Sequence, residues 1–260
     1  MIQLKSPREI EIMAQGGQIL ARAVEHLRAR VRPGVSTADL DRLAEDFIRG
    51  HEGAAPAFKG LYGFPGSVCA SINEEIVHGI PSKKRVLREG DIISLDIGVR
   101  YGGFYTDSAT TVAVGEVDPR SRSLLDATQQ ALDAGVAAAR VGNHIGDIGA
   151  AVQAVVERYG FSVVRDLVGH GIGVEFHEEP QVPNHGKPKR GTKLVPGLTI
   201  AIEPMVNIGG PGTRTLPDRW TVVTADGSRS AHFEHTVAIT EDGPRVLTRL
   251  DVGAGVVAGR

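Results

Sequence analysis

The chain has 260 residues, 41% of them hydrophobic, and a net charge of −2, which suits one large core, excludes a disordered chain and, with no Lys/Arg run interleaved with aromatics, offers no patch for nucleic acid. The single cysteine, Cys69, excludes an internal disulfide and fits a reducing compartment. The start, MIQLKSPREIEIM, is too charged for a signal peptide and no apolar run reaches the ~20 residues of a membrane span, so a cytoplasmic protein with no membrane contact is expected.

Ser6-Pro7-Arg8-Glu9 predicts a capping box with proline at the first helical position. Ile10, Met13, Gly17, Leu20, Val24 and Leu27 follow at spacings of three and four, the stripe of an amphipathic helix. A second helix is predicted from near Ser36, carrying Leu40, Leu43, Phe47 and Ile48. Strand-like segments run from about Val68 to Val114. Helices are predicted over about 122–139 and 147–158, and strand patterns then resume to about Ile239.

One of the strand segments is unusual. In SLDIGVRYGGFYTD (94–107), Ile93, Leu95 and Ile97 alternate with Ser94 and Asp96, and FYTDSATTVAV returns after a glycine turn. A turn centred on Tyr101-Gly102 places Asp96 directly opposite Asp107 on one face, where like charges repel. Something must offset that repulsion.

The order of two helices then strands occurs twice. Arg32-Pro33-Gly34 through Asp39-Leu40 matches Arg140-Val141-Gly142 through Asp147-Ile148, and GDIISLD (90–96) matches GLTIAIE (197–203) at nearly the same offset. Asp96 thereby corresponds to Glu203. A repeat this long is no solenoid unit; it fits two similar half-domains, about 1–115 and 116–247, facing each other within one domain of residues 1–250, with a Gly-rich tail at 251–260.

The second half adds His170 in GHGIG and Glu234 in SAHFEHTV. Singly, each acid reads as a solvated strand residue. Together Asp96, Asp107, Glu203 and Glu234 would need cations to remain ionised in one place. Two divalent ions balance four carboxylates, and with His170 as a fifth ligand the set becomes a two-metal hydrolytic site. Oxygen-rich ligation with one imidazole favours Mn²⁺, Fe²⁺ or Co²⁺ over Zn²⁺. His232, His235, Glu178 and Glu179 are read as structural. No Walker loop, GxSxG elbow or HExxH is present.

SLDIGVRYGGFYTDSA, GHGIGVEFHEEP, IAIEPMV and AHFEHTV, with NEEIVHGIP at 73–81, resemble the type I methionine aminopeptidases from SPREIEIM to about Leu247. The resemblance implies the α/β pita-bread fold: two pseudo-symmetric halves with antiparallel sheet and outer helices. It carries the five metal ligands onto Asp96, Asp107, His170, Glu203 and Glu234, with Asp107 and Glu234 bridging. It implies that His78 contacts substrate, that His177 stabilises the tetrahedral intermediate and that Glu203 shuttles the proton. It places Phe64, Cys69, Phe176 and Trp220 around a methionine pocket, with Leu61 and Phe64 where some relatives carry tyrosine. The implied reaction is removal of the initiator methionine from nascent chains with a small second residue, at the ribosome, by a monomer. Two alternatives are a proline-specific pita-bread aminopeptidase, which usually has an extra N-terminal domain, and a non-catalytic binding relative, which would have lost ligands.

Overall fold

Helices come in pairs at the head of each half of the chain. The computed structural model describes residues 2–251, so the predicted tail lies, beyond Asp251, outside the described residues. Ser6 caps α1 (Pro7–Arg28): its hydroxyl accepts from the Glu9 N–H at 3.3 Å, and the Glu9 carboxylate accepts from the Ser6 N–H at 2.7 Å. Ser36 caps α2 (Thr37–Arg49), its hydroxyl accepting from the Asp39 N–H at 3.2 Å. α3 (Pro119–Ala138) starts ahead of the expected residue 122 because Asp118 accepts from the N–H groups of Arg120 and Ser121, with Pro119 at the first helical position. α4 (Ile145–Arg158) starts ahead of residue 147, where the Asp147 carboxylate reaches back to the His144 N–H at 2.7 Å.

Each helix pair covers an antiparallel sheet. In the first half, strand Ile92–Tyr101 is central, flanked by Phe104–Ala113 on one side and by Val68–Ile72 and Ala54–Pro56 on the other. Its buried Ile93, Leu95, Ile97 and Val99 pack with Leu20, Leu27, Leu40 and Ile48 of α1 and α2. In the second half the strand order is Gly243–Val246, His235–Thr240, Thr199–Ile202, Gly169–Gly171, Glu178–Val182. Ile200, Ile202, Val237 and Ile239 there meet Leu124, Leu132, Ile148 and Val152 of α3 and α4. Two small three-stranded sheets fill in around these.

The halves are joined along Phe104–Ala113 and His235–Thr240. Asp107 N–H donates to Thr236 Oγ1 at 2.8 Å, and that hydroxyl donates to the Asp107 carbonyl at 2.9 Å. Ser108 Oγ donates to the Glu234 carbonyl, and Glu234 N–H donates to the Ala109 carbonyl, both at 2.9 Å. The seam therefore runs through the strand that carries Asp107 and the head of His235–Thr240, which Glu234 immediately precedes.

The hairpin register corrects one expectation. Tyr101 pairs with Phe104, so the turn is Gly102-Gly103, with φ of 57° and 90°. Two successive positive φ values are what a type I′ turn requires, and glycine adopts them without strain. Asp96 consequently lies opposite Ala109, and Asp107 opposite Gly98. The two aspartates share a face as diagonal rather than direct neighbours.

Candidate active site

Five strands deliver acidic and imidazole side chains to one place. Asp96 and Asp107 project from the hairpin. His170 lies in Gly169–Gly171, and the His235–Ile202 pairing brings Glu234 and Glu203 together just past the end of their ladder. A Cβ on Gly169 would lie 2.3 Å from the Ala201 carbonyl oxygen, and one on Gly171 2.3 Å from that of Glu179. The strand bearing His170 approaches its neighbours this closely only with glycine on both sides.

The ligand atoms converge. Atoms of Asp107, His170 and Glu234 lie within 4.8 Å of one another, a spacing that a metal ion can span. His170 Nε2 is 4.0 Å from Asp107 Oδ2 and 3.7 Å from Glu203 Oε1. Its Nδ1–H donates to the Gly171 carbonyl at 2.8 Å, which leaves Nε2 bare and aimed at the carboxylates. Asp96 Oδ1 and Glu234 Oε1 are buried with no hydrogen-bond partner. Lone pairs in that condition are costly unless something positive meets them.

The electrostatics say the same. Burial raises the Asp96 carboxyl to about 7. Burial, then the charges of Glu234 and Asp96, push Asp107 well up. Burial first and neighbouring carboxylates second push up Glu203 and Glu234. Burial, then His177, lowers His170 to about 3, so its imidazole is neutral and free to ligate. Carboxylates that cannot all ionise alone, beside a bare imidazole nitrogen, fit divalent cations by charge and by donor type.

Beside this cluster the wall turns apolar. A cavity of about 160 Å³ is lined by all five of these residues together with His78, His177, Phe64, Cys69, Phe176 and Trp220. All eleven residues singled out in the sequence therefore face one space. Cys69 pairs directly with Asp96 across the sheet, and burial followed by the charge of Asp96 raises its thiol, so it stays neutral and is no nucleophile. Phe64 meets Trp220 edge-on at 5.2 Å, and Phe58 meets Phe176 edge-on at 5.3 Å. His177 stands at the rim, its ring 4.4 Å from that of His170. The residue is open to solvent, yet neighbouring rings cover part of the imidazole and lower its pKa. Burial, then His177, lowers His78, whose backbone has a φ of 60°.

Some neighbours were not foreseen. Phe58 and Tyr62 also line the cavity. Tyr62, at φ 50°, stacks on His177 with its hydroxyl 3.2 Å from Nδ1. Phe58 and Tyr62 sit in a Gly-punctuated loop with no periodicity to read. Glu178 is structural but not solvated: it forms a buried ion pair with Lys5, which ties the N-terminal segment to the loop carrying Phe176 and His177. His232 was read as structural, yet its ring faces Glu203 and Glu234. A signal for it existed, since it precedes Glu234 by two residues in a strand-like run.

Comparison with known proteins agrees with this geometry. Residues 11–241 match the model of metallopeptidase family M24. A methionine aminopeptidase of Clostridium acetobutylicum is 52% identical over 95% of this chain and 99% of its own length. The crystal structure of a Thermotoga maritima methionine aminopeptidase superposes with a TM-score of 0.94 at 44% identity, over 96% of this chain and all of that one. A Pyrococcus horikoshii prolidase, at 23% identity and a TM-score of 0.77, covers 95% of this chain and 64% of its own, and shares the fold alone. With the pita-bread architecture in place and such identity over nearly its whole length, the chain belongs to the methionine aminopeptidases of metallopeptidase family M24.

Proposed function

We propose that this chain removes methionine from the N-terminus of polypeptides whose second residue is small, acting on nascent chains in the cytoplasm as a monomer near the ribosome. One observation carries the reading: an apolar, aromatic wall and a cluster of buried carboxylates with a bare imidazole share a single cavity. A thioether side chain suits the first, and the adjacent peptide bond then lies against the second.

Asp96, Asp107, His170, Glu203 and Glu234 would hold two divalent cations, and Mn²⁺, Co²⁺ or Fe²⁺ would match this oxygen-rich set. Bound there, such ions supply Lewis-acid polarisation of the scissile carbonyl and a nucleophilic water at neutral pH. The remaining work belongs to the protein. Phe64, Phe176 and Trp220 grip the methionine side chain, with Cys69 as a neutral thiol against it. Tyr62 O–H donating to His177 Nδ1 leaves the proton on Nε2, a tautomer assigned from this contact. That N–H then donates to the carbonyl oxygen as charge develops on it. His78 hydrogen-bonds the substrate backbone. Glu203 accepts a proton from the attacking water and returns it to the departing amine.

Peptidase assays on Met-Ala-Ser, Leu-Ala-Ser and Xaa-Pro peptides, with Mn²⁺ or Co²⁺, test the proposal. Met-Ala-Ser is cleaved, Leu-Ala-Ser is cleaved at least about tenfold more slowly, and chelation stops both. Equal kcat/KM on Xaa-Pro peptides lacking methionine would overturn it in favour of a proline peptidase.

A further inference from the structure

His232 ends the strand Ser230–His232 and is 2% exposed. Its backbone is held on both sides. His232 N–H donates to Thr111 Oγ1, and Thr111 Oγ1 lies 2.8 Å from the His232 carbonyl, so the seam between the halves fixes where the ring can point. Nε2 lies 3.6 Å from Glu203 Oε2 and 3.9 Å from Glu234 Oε2, and neither ring nitrogen has a hydrogen-bond partner among the described residues. A buried imidazole in that state is costly unless a partner meets it.

The Glu203 carboxylate is bracketed. Oε1 faces His170 Nε2 at 3.7 Å and Oε2 faces His232 Nε2 at 3.6 Å. The two imidazoles differ in what they offer. His170 has committed its N–H to the Gly171 carbonyl and turns a lone pair inward. His232 Nε2 faces two carboxylate oxygens, which only accept when ionised, so its proton belongs on Nε2.

We propose that His232 is a positioning residue for Glu203: its Nε2–H bonds Oε2 and turns the carboxylate so that Oε1 is the oxygen offered to a cation and to the proton in transit. The inference rests on the reading of Glu203 as a metal ligand and proton carrier. At 3.6 Å the pair stands outside hydrogen-bond distance, so the proposed bond requires one side chain to move toward the other.

The test compares His232→Leu with His232→Gln, which restores an N–H donor. Partners of this kind typically contribute about 10–100-fold to metal affinity or rate. His232→Leu should lose about that factor in kcat on Met-Ala-Ser at saturating Mn²⁺ with KM little changed, and His232→Gln should recover most of it. In ¹⁵N-histidine spectra of the Zn²⁺-loaded wild type, His232 Nε2 should carry a proton. Wild-type kcat in the leucine variant would overturn the assignment. So would an equal defect in the glutamine variant, or a deprotonated Nε2, which would make His232 a ligand. If circular dichroism shows that the leucine variant does not fold, His232→Met replaces it, and the wild-type spectrum decides independently. Glu203→Gln is titrated with Mn²⁺ alongside. If it binds as wild type does, the reading of Glu203 fails; if it loses metal while His232→Leu behaves as wild type, only the role of His232 fails.

Discussion

His170 and His177 have ring centroids 4.4 Å apart, and the proposed function gives them different tasks. His170 is buried, donates through Nδ1 to a backbone carbonyl and turns Nε2 toward Asp107 and Glu203. His177 sits at the rim, lining the cavity, with Nδ1 against the Tyr62 hydroxyl. His177→Ala should therefore retain its Mn²⁺ affinity and lose about 10²–10³ in kcat, as removal of one donor to a developing oxyanion does. Isothermal titration with Mn²⁺ beside steady-state kinetics separates the two. Loss of metal with unchanged kcat in the loaded fraction would refute the division of labour. At this scale no acid was legible singly, since each reads as a solvated strand residue; the four were legible as a set whose charges need cations, with His170 as a fifth ligand. Phe58 and Tyr62 were not, because nothing in a loop's sequence says which side chains turn back over a cavity.

The hairpin shows what an element determines and what it leaves open. Its alternation and glycine turn were readable, and the face shared by Asp96 and Asp107 followed from parity. The register did not: the turn lies one residue further on, and two adjacent glycines left its centre ambiguous. The new pairing also gives Gly98 a purpose. A Cβ there would lie 2.8 Å from Phe176 Cε2, 2.8 Å from Ala57 Cβ and 3.0 Å from Phe58 Cε1. Gly98→Ala should thus force Phe176 toward the cavity. Overpacking of this kind costs about 1–3 kcal/mol, or roughly 2–12 °C in Tm at about 2–4 °C per kcal/mol for a chain of this size. KM for Met-Ala-Ser should rise as the pocket narrows. Thermal melts and kinetics check it, and an unchanged Tm would mean that these rings move aside freely. The helix starts at Pro119 and Ile145 followed the same capping chemistry as Ser6, but Asp118-Pro119 was overlooked as a cap.

Across the whole molecule, the site makes stability depend on pH and metal. In the metal-free protein, burial raises Asp96 to about 7 and raises Asp107, Glu203 and Glu234 as well. Burial lowers His170 and His232 to about 3. Stability changes with pH in proportion to the protons bound by the unfolded minus the folded state. Between pH 4 and 6.5 the two sets oppose each other: unfolded histidines hold extra protons while folded carboxylates do. Above about 6.5 unfolded histidines are neutral, and only the carboxylates remain, with the folded state holding more protons. The Tm of chelator-treated protein should therefore fall from pH 6.5 to 8, and saturating Mn²⁺ should raise it and flatten the slope by balancing the charges. A Tm that is flat with pH without metal, and indifferent to Mn²⁺, would contradict a buried acidic site. The helix pairs, the strands, the doubled order of elements and the residue types that cluster are all written in the chain, because periodicity, capping and the cost of burying charge act locally or by composition. The register of the hairpin, the seam through Asp107 and Thr236, the closing of Lys5 onto Glu178 and the facing of His232 to Glu203 came only with folding. The seam and the Lys5–Glu178 pair join residues over a hundred positions apart and the His232–Glu203 contact joins the ends of two strands, approaches that leave no periodic trace in the chain, while the hairpin register turned on where beside two adjacent glycines the turn was centred.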